Sequence, residues 1–159
     1  PGDPSETHWL CVDLLDVTFQ LMSRWFNWPV IQSVDQLQSC MTDGFAKDHP
    51  TLIAVGSFYY REPISILRRL HETQRAGEEK NAAEMDQPSL PTNWQTTTDS
   101  IAALLACVTN ADELVILKSC EIVPGLNWQQ LADRGIVDDS FPMIAREVSS
   151  VRIEQLTRE

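Results

Sequence analysis

The sequence lacks the short motifs and long apolar runs by which several large protein classes are recognised. No G-x-S-x-G, H-E-x-x-H or G-x-x-x-x-G-K-[ST] segment occurs, which argues against serine hydrolases, zinc peptidases and P-loop proteins. No apolar run approaches the roughly 20 residues that cross a bilayer, and no secretory signal is recognisable. We therefore expect a cytoplasmic protein with no membrane partner.

Positive charge is also scarce. Lys and Arg number 12 against 23 Asp and Glu, and the formal net charge is −11. Nucleic acids and anionic membranes bind basic surfaces, so neither is expected as a partner. A phosphate-bearing ligand would have to be held by backbone amides, a metal or a few local lysines.

Closely spaced cysteine pairs are missing as well. The chain has no C-x-x-C, and its four cysteines lie far apart among apolar neighbours: Cys11, Cys40, Cys107 and Cys120. This pattern predicts buried, reduced thiols rather than a disulfide framework or a zinc site.

The composition that is present is that of an ordinary globular protein. Apolar residues make up 43% of the chain and charged residues 22%. A length of 159 residues suits one domain over 1–159. Within it, residues 60–93 are largely polar towards their end and broken by Pro88 and Pro91, which predicts a surface excursion.

Apolar periodicity predicts two helix–strand pairs in the first part of the chain. A long helix begins near a cap at Ser5 or Thr7 and ends before Pro29. Its apolar stripe consists of Leu10, Leu14, Val17 and Leu21. The strand "WPVIQS", a helix between Ser33 and Gly44, and a buried parallel strand at residues 52–55 follow.

The aromatic residues around this first helix leave two interpretations open. They are Trp9, Trp25, Phe26 and Trp28. Packing in a core is the simpler one, but an exposed part of the cluster could form a dimer face.

The second part of the chain continues the alternation. The segment "TTTDSIAALL" begins a helix that runs to Ala111, "DELVILKSC" is a second buried strand, "NWQQLADRGIV" is a helix ended by Gly135, and "SVRIEQL" is a last strand. Such alternation is typical of an α/β domain with a mainly parallel sheet. Ligands bind beyond the carboxyl ends of such strands, which directs attention to "GSFYY" and "KSCE".

Asp99 lies among hydroxyl side chains where the helix of the second part begins. Spacing alone favours a structural role, because Thr, Ser and Asp cap helices and an acid in the first turn suits the helix dipole. In the functional interpretation, Asp99 orients a substrate group, a metal or a lysine near a transferred phosphate.

Three other polar features have the same ambiguity. Lys118 closes the strand "LVILK", either as a lysine reaching solvent or as a phosphate contact at the binding edge of the sheet. The segment "PGD" is a turn or the remnant of a glycine-rich phosphate loop at a helix start. His8 is a packed histidine or faces that loop.

Together these segments resemble the amino-acid kinase superfamily. The closest likeness is to the branch that contains the aminomethylfuran phosphate kinase of methanofuran biosynthesis and its relatives in one-carbon metabolism. Three segments resemble that branch: "PGDPSETHWLCVDLLDVTFQLM" its P-G-G-G loop and helix, "WQTTTDSIAALLACVTNADELVILKSCEIV" its W-x-x-T-S-D-S-x-A segment and strand, and "LADRGIVDDSFPMIA" a later stretch with an acidic pair and Phe-Pro.

The resemblance implies a three-layer α/β/α fold with ATP-dependent phosphoryl transfer and magnesium. Asp99 would organise the active site. The residues expected to contact the nucleotide or the transferred phosphate would be Gly2, Thr98, Ser100, Lys118 and Ser119. The acceptor would be a small carboxylate or phosphate metabolite, and a homo-oligomer is expected by the same resemblance. Phosphoryl transfer needs mainly positioned charges and donors, which such loops and lysines supply.

Several departures from the family pattern leave the function open. The family's opening strand, which ends in Lys-x-Gly-Gly-Ser, is not found before Pro1, and two loop glycines are replaced by Asp3 and Pro4. A carboxylate there repels phosphate and a proline removes an amide donor. The usual Thr- or Ser-Asp of the nucleotide strand and a later catalytic lysine are also not evident. The chain is therefore expected to be either a fragment or a relative without kinase activity, and Asp3 and Pro4 favour the latter.

The hypotheses are thus an ATP-dependent kinase, a non-catalytic ligand-binding or oligomer-forming protein of the same fold, and an unrelated α/β binding domain.

Overall fold

The computed structural model describes residues 2–45, 48–59 and 90–156. The chain forms two compact units, Pro1–Met85 and Asp86–Glu159. That they belong to one kinase-like domain over 1–159 stays a prediction. Most of the predicted excursion, residues 60–89, lies outside the described residues.

The N-terminal unit contains two helix–strand pairs. Its elements are α1 (Pro4–Trp25), β1 (Val30–Ile31), α2 (Val34–Asp43), β2 (Leu52–Ile53) and a 3-10 turn (Val55–Ser57). The strands pair in parallel, with Val30 opposite Leu52 and Ile31 opposite Ile53. The predicted helices and the parallel pairing are confirmed.

The cap of helix α1 lies two residues before the first of the two predicted caps. The Asp3 carboxylate accepts a hydrogen bond from the Ser5 amide at 2.9 Å, and Pro4 occupies the first helical position. Proline suits that position because its missing N–H would have no partner in the helix. The predicted caps at Ser5 and Thr7 are therefore wrong.

The buried face of α1 is not its most regular apolar stripe. The residues buried on α1 are His8, Trp9 and Val12. The predicted stripe is exposed instead: Leu10, Leu14, Val17 and Leu21. The helix is confirmed, but it has a second apolar face that the described residues leave in contact with solvent.

Helix α2 follows the sequence prediction closely. The Ser33 hydroxyl accepts from the Gln36 amide at 3.3 Å, and the helix ends at Gly44, whose φ of 95° is in the region that favours glycine. Leu37 is fully buried from the middle of the helix.

Strand β2 is shorter than its apolar run. Only residues 52–53 are strand, both partly exposed, and the chain then tightens into the 3-10 turn at Val55. The predicted strand over 52–55, buried on both faces, is wrong in length and burial, because an apolar run does not by itself fix an extended backbone.

The C-terminal unit holds the remaining elements. They are α3 (Thr98–Thr109), β3 (Leu114–Lys118), α4 (Trp128–Asp133), α5 (Phe141–Ala145) and β4 (Val151–Gln155). Strands β3 and β4 pair in parallel from Leu114 opposite Val151 to Lys118 opposite Gln155. All but the short helix α5 were predicted, although Ile116 is the one buried residue of β3.

The core of the C-terminal unit forms where α3 packs on α5 and β3. Its buried apolar side chains include Ile101, Ala103, Leu104, Val108, Ile116, Phe141 and Ile144. Trp128 of α4 meets Phe141 edge to face, with ring centroids 5.4 Å apart. This packing fixes the start of α3 against the segment that precedes α5.

The described chain is thus a mixed α/β structure with small, parallel, two-stranded sheets. The three-layer sandwich of the amino-acid kinases stays a prediction. None of the helices in the described ranges is both long enough and apolar enough to cross a membrane.

All four cysteines are free thiols, as predicted, but none is buried as predicted. Cys11 and Cys120 are exposed, while Cys40 and Cys107 are half-buried. Desolvation raises the pKa of the Cys107 thiol to about 11, and the nearby charge of Glu147 adds to the rise.

We expect Cys107 to react with iodoacetamide at pH 8 about tenfold or more slowly than Cys11 or Cys120, because the thiolate is the nucleophile. Peptide mass spectrometry over a labelling time course measures the rates. Replacing Glu147 with Gln should accelerate labelling of Cys107 alone, and full denaturation should make the rates similar. Equal rates in the folded protein would contradict the raised pKa.

Candidate functional site

Asp99 and Lys118 form an ion pair in the C-terminal unit. Asp99 lies in the first turn of α3, and Lys118 is the last residue of β3. After α3 the chain reverses at Asn110, whose φ of 51° is left-handed. Strand β3 therefore runs back along the helix, and its carboxyl end arrives beside the start of α3.

The geometry of this pair is close and partly shielded from water. The Lys118 ammonium donates from Nζ to Asp99 Oδ2 at 2.6 Å, and the side chains are 21% and 10% exposed. Charge-assisted hydrogen bonds of this length are the strong ones, and partial burial reduces screening by solvent. The interpretation in which Asp99 orients a lysine fits this geometry, whereas capping by Asp99 does not.

The cap of α3 comes from a distant carboxylate. Asp138 Oδ2 accepts from the amide of Thr97 at 2.8 Å and from the amide of Ser100 at 3.0 Å. Oδ2 also accepts from the Thr97 hydroxyl, at 2.9 Å, and the Ser100 hydroxyl donates to Oδ1. Oδ1 further accepts from the amide of Phe141 at 3.0 Å, so one side chain holds the starts of both α3 and α5.

The threonines at this helix start do not act as the predicted caps. Thr97 is the residue before the first helical one, but its hydroxyl donates to Asp138 instead of accepting from a helix amide. Thr96 is buried and donates to the hydroxyl of Ser140 at 3.1 Å. The hydroxyl groups therefore tie two loops together.

Asp138 is the site residue that reasoning from spacing missed. The acidic pair at residues 138–139 entered only through the family resemblance, with no role for either acid. A local signal was available, because an Asp placed three residues before Phe141 and followed by Pro142 is typical of a helix start. No local sequence pattern indicates that Asp138 also accepts hydrogen bonds at the start of α3, 38–41 residues earlier in the chain.

The predicted site residues have three different environments. Ser100 is fully buried and bonded to Asp138, next to the Asp99–Lys118 pair. Thr98 and Ser119 are exposed. Gly2 is exposed in the N-terminal unit, where an added Cβ would meet only Thr7 Oγ1 at 3.9 Å, so its position does not require glycine.

The polar residues of the N-terminal unit are used in packing. His8 is buried, with Nε2 3.0 Å from the hydroxyl of Tyr59, and Trp9 packs against the same tyrosine at 5.1 Å between ring centroids. Ser57 donates to the carbonyl of Ala54 at 2.7 Å. This geometry fits the interpretation of His8 as a packed histidine. Of the segment "GSFYY", residues 57–59 are buried in the unit, and Tyr60 lies outside the described residues.

The starts of α1 and α3 are each occupied by a carboxylate of the chain. Asp3 accepts at the start of α1, and Asp138 accepts at the start of α3. A helix N-terminus binds phosphate through free amides and a positive dipole end, and both are already satisfied here by an anion.

At this site, the described groups that could contact a phosphate already have partners in the protein. The Lys118 ammonium is neutralised by Asp99, and both oxygens of Asp138 are engaged with donors. Among the described residues, no group of three or more His, Cys, Asp or Glu side chains could hold a metal ion.

Comparison of the chain with protein-family models, curated proteins and solved structures gave no significant match.

Proposed function

We propose that this chain is a non-catalytic relative of the amino-acid kinases, in which the polar helix start around Asp99 holds the fold together. The observation that carries the proposal is the occupation of two helix starts by the carboxylates of Asp3 and Asp138. A transferred phosphate needs donors that are free to turn towards its oxygens. Here those donors are bonded to anions that would repel it.

The local charge supports the same proposal. Asp99 and Asp138 carry two negative charges against the single positive charge of Lys118, and the whole chain carries −11. Binding a polyphosphate would have to overcome this field or break the Asp99–Lys118 pair. A protein with this charge would instead bind an uncharged or cationic small molecule, or act as a subunit of an oligomer.

We expect titration of the protein with ATP or ADP, in the presence of magnesium, to give no saturable heat, with a Kd weaker than about 1 mM. Isothermal titration calorimetry makes the measurement. Saturable heat that is abolished by Lys118→Met, but retained by Arg134→Met on the exposed end of α4, would contradict the proposal and assign Lys118 to a nucleotide site.

A second candidate is ATP-dependent phosphoryl transfer to a small carboxylate or phosphate metabolite. It is favoured by the position of Lys118, at the carboxyl end of a parallel strand and beside a helix start, where α/β proteins bind ligands. In that case Asp99 would orient the lysine and release it to a phosphate oxygen. The same titration separates the candidates, because only this one predicts saturable heat that depends on Lys118.

A further inference from the structure

Helix α1 has an apolar surface that no residue in the described ranges covers. The side chains of this surface, here called the α1 stripe, are 45% to 70% exposed: Leu10, Leu14, Val17, Leu21 and Trp25. The buried residues Trp9 and Val12 lie on nearly the opposite side of the helix, since each residue turns it by about 100°. A continuous apolar surface of this kind on a folded protein marks an interaction site.

The spacing of the α1 stripe fits one partner helix. Its first four members are separated by four, three and four residues, which is the alternation found along the seam between two packed helices. From Leu10 to Trp25 the stripe rises by about 22 Å, so a partner helix of about four turns would cover it. Anchors at this spacing are typical of surfaces that bind an amphipathic helix.

One border of the α1 stripe is acidic. Asp13 lies three residues after Leu10 and four before Val17, so it is next to both on the helix surface. Asp16 follows less than one turn further along. Both carboxylates are exposed, and in the described part of the chain neither makes an ion pair with another residue. A cationic side chain of a helix on the stripe would therefore have a carboxylate within reach.

The wider charge around the stripe selects the class of partner. Even without Glu6, which interacts within the protein, residues 1–59 contain far more acids than bases. The acids are Asp3, Asp13, Asp16, Asp35, Asp43 and Asp48, and the bases are Arg24 and Lys47. A second copy of the chain would bring the same negative charge, and helices that bind anionic membranes have a basic polar face instead. A partner rich in Lys or Arg is attracted to this field.

We propose that the α1 stripe binds a basic amphipathic helix of another protein. Apolar side chains of the partner pack along the stripe, and a Lys or Arg at its edge pairs with Asp13. The exposed Trp25 extends the stripe with an aromatic side chain, a type that contributes strongly to binding at such contacts. This inference does not rest on the proposed function, because it uses neither Asp99 nor Asp138.

Fluorescence anisotropy with a labelled synthetic peptide tests the binding. The probe is about 18 residues long, with Leu at the seam positions and Lys at the others, and is titrated with the full chain. We expect a saturable curve with a Kd of about 10 μM. A peptide with Glu in place of Lys, and a scrambled peptide of the same Leu and Lys composition, should each bind at least about tenfold more weakly.

Two pairs of variants locate the binding on α1. Leu14→Ala should raise the Kd of the Lys peptide about tenfold, since it removes apolar surface from the stripe. Its matched control is Leu117→Ala, at a similarly exposed leucine of the C-terminal unit, which should leave the Kd unchanged. Asp13→Lys should raise the Kd about fivefold, and Asp112→Lys, an equal change of net charge at an exposed residue of the C-terminal unit, should have a smaller effect. Circular dichroism should show that all four variants keep their fold.

Several results would overturn the proposal. They are a lack of saturable binding by the Lys peptide, equal binding of the Glu or scrambled peptide, and equal effects of Leu14→Ala and Leu117→Ala. Light scattering that finds a dimer of the chain alone, dissociated by Leu14→Ala, would overturn it by assigning the stripe to a second copy. Sedimentation of the chain with phosphatidylcholine vesicles, lost in Leu14→Ala, would overturn it by assigning the stripe to a lipid surface.

Discussion

Replacing Asp138 with Ala is expected to lower the free energy of unfolding of the C-terminal unit by about 3 kcal/mol. The carboxylate accepts five hydrogen bonds, of which three come from backbone amides, at Thr97, Ser100 and Phe141. Loss of a single helix cap costs about 1 to 2 kcal/mol, and donors left unsatisfied away from water cost more. Because one side chain serves two helix starts, the losses accumulate.

Urea unfolding followed by far-ultraviolet circular dichroism measures this effect. The matched control is Asp139→Ala, which removes the exposed acid next in the sequence and should change stability by less than about 0.5 kcal/mol. Asp138→Asn should be intermediate, because the amide keeps one acceptor oxygen but loses the charge. Similar losses in Asp138→Ala and Asp139→Ala would show that the five hydrogen bonds do not stabilise the unit.

Lys118→Met is expected to destabilise the protein by about 3 kcal/mol, because it leaves the Asp99 carboxylate, 10% exposed, without its cation. Asp99→Asn should cost less, about 1 to 2 kcal/mol, since the Lys118 ammonium is more exposed and can be partly hydrated. Chemical denaturation of the single and double variants completes a thermodynamic cycle.

The double variant Asp99→Asn/Lys118→Met should be more stable than the sum of the single effects predicts, with a coupling energy of about 2 kcal/mol. The comparison is Arg152 with Glu113, an exposed pair at 3.0 Å in the same unit, for which the coupling should stay below about 1 kcal/mol. A coupling between Asp99 and Lys118 no larger than this would indicate that the pair contributes little to stability.

Sequence reasoning succeeded where the determinants are local. The limits of α2 follow from a serine that bonds an amide three residues ahead and a glycine that takes a positive φ. The cap at Asp3 was equally local and was missed because Ser5 and Thr7 are also capable caps. Proline at the next position was the signal that distinguishes them.

Features that depend on distant segments could not be predicted in this way. The Asp138 cap joins residues 38–41 positions apart, and no spacing rule encodes such a pairing. The prediction of which face of α1 is buried was wrong for a related reason. Periodicity identifies an apolar face of a helix, but it does not tell which of two such faces packs in the core. Asp99 and Lys118 were both predicted as candidate site residues from the sequence. That they form an ion pair depends on how α3 and β3 pack against each other, which the sequence does not show.

The double attachment of Asp138 also bears on how the C-terminal unit moves. The first turn of a helix is usually the first to fray, since its amides have no partners within the helix. Here the Thr97 and Ser100 amides share the Asp138 carboxylate with the Phe141 amide that begins α5, so a movement of Asp138 weakens both helix starts. We therefore expect local opening at this end of α3 to be coupled to opening at the start of α5, so that the two chain segments exchange their amide hydrogens cooperatively.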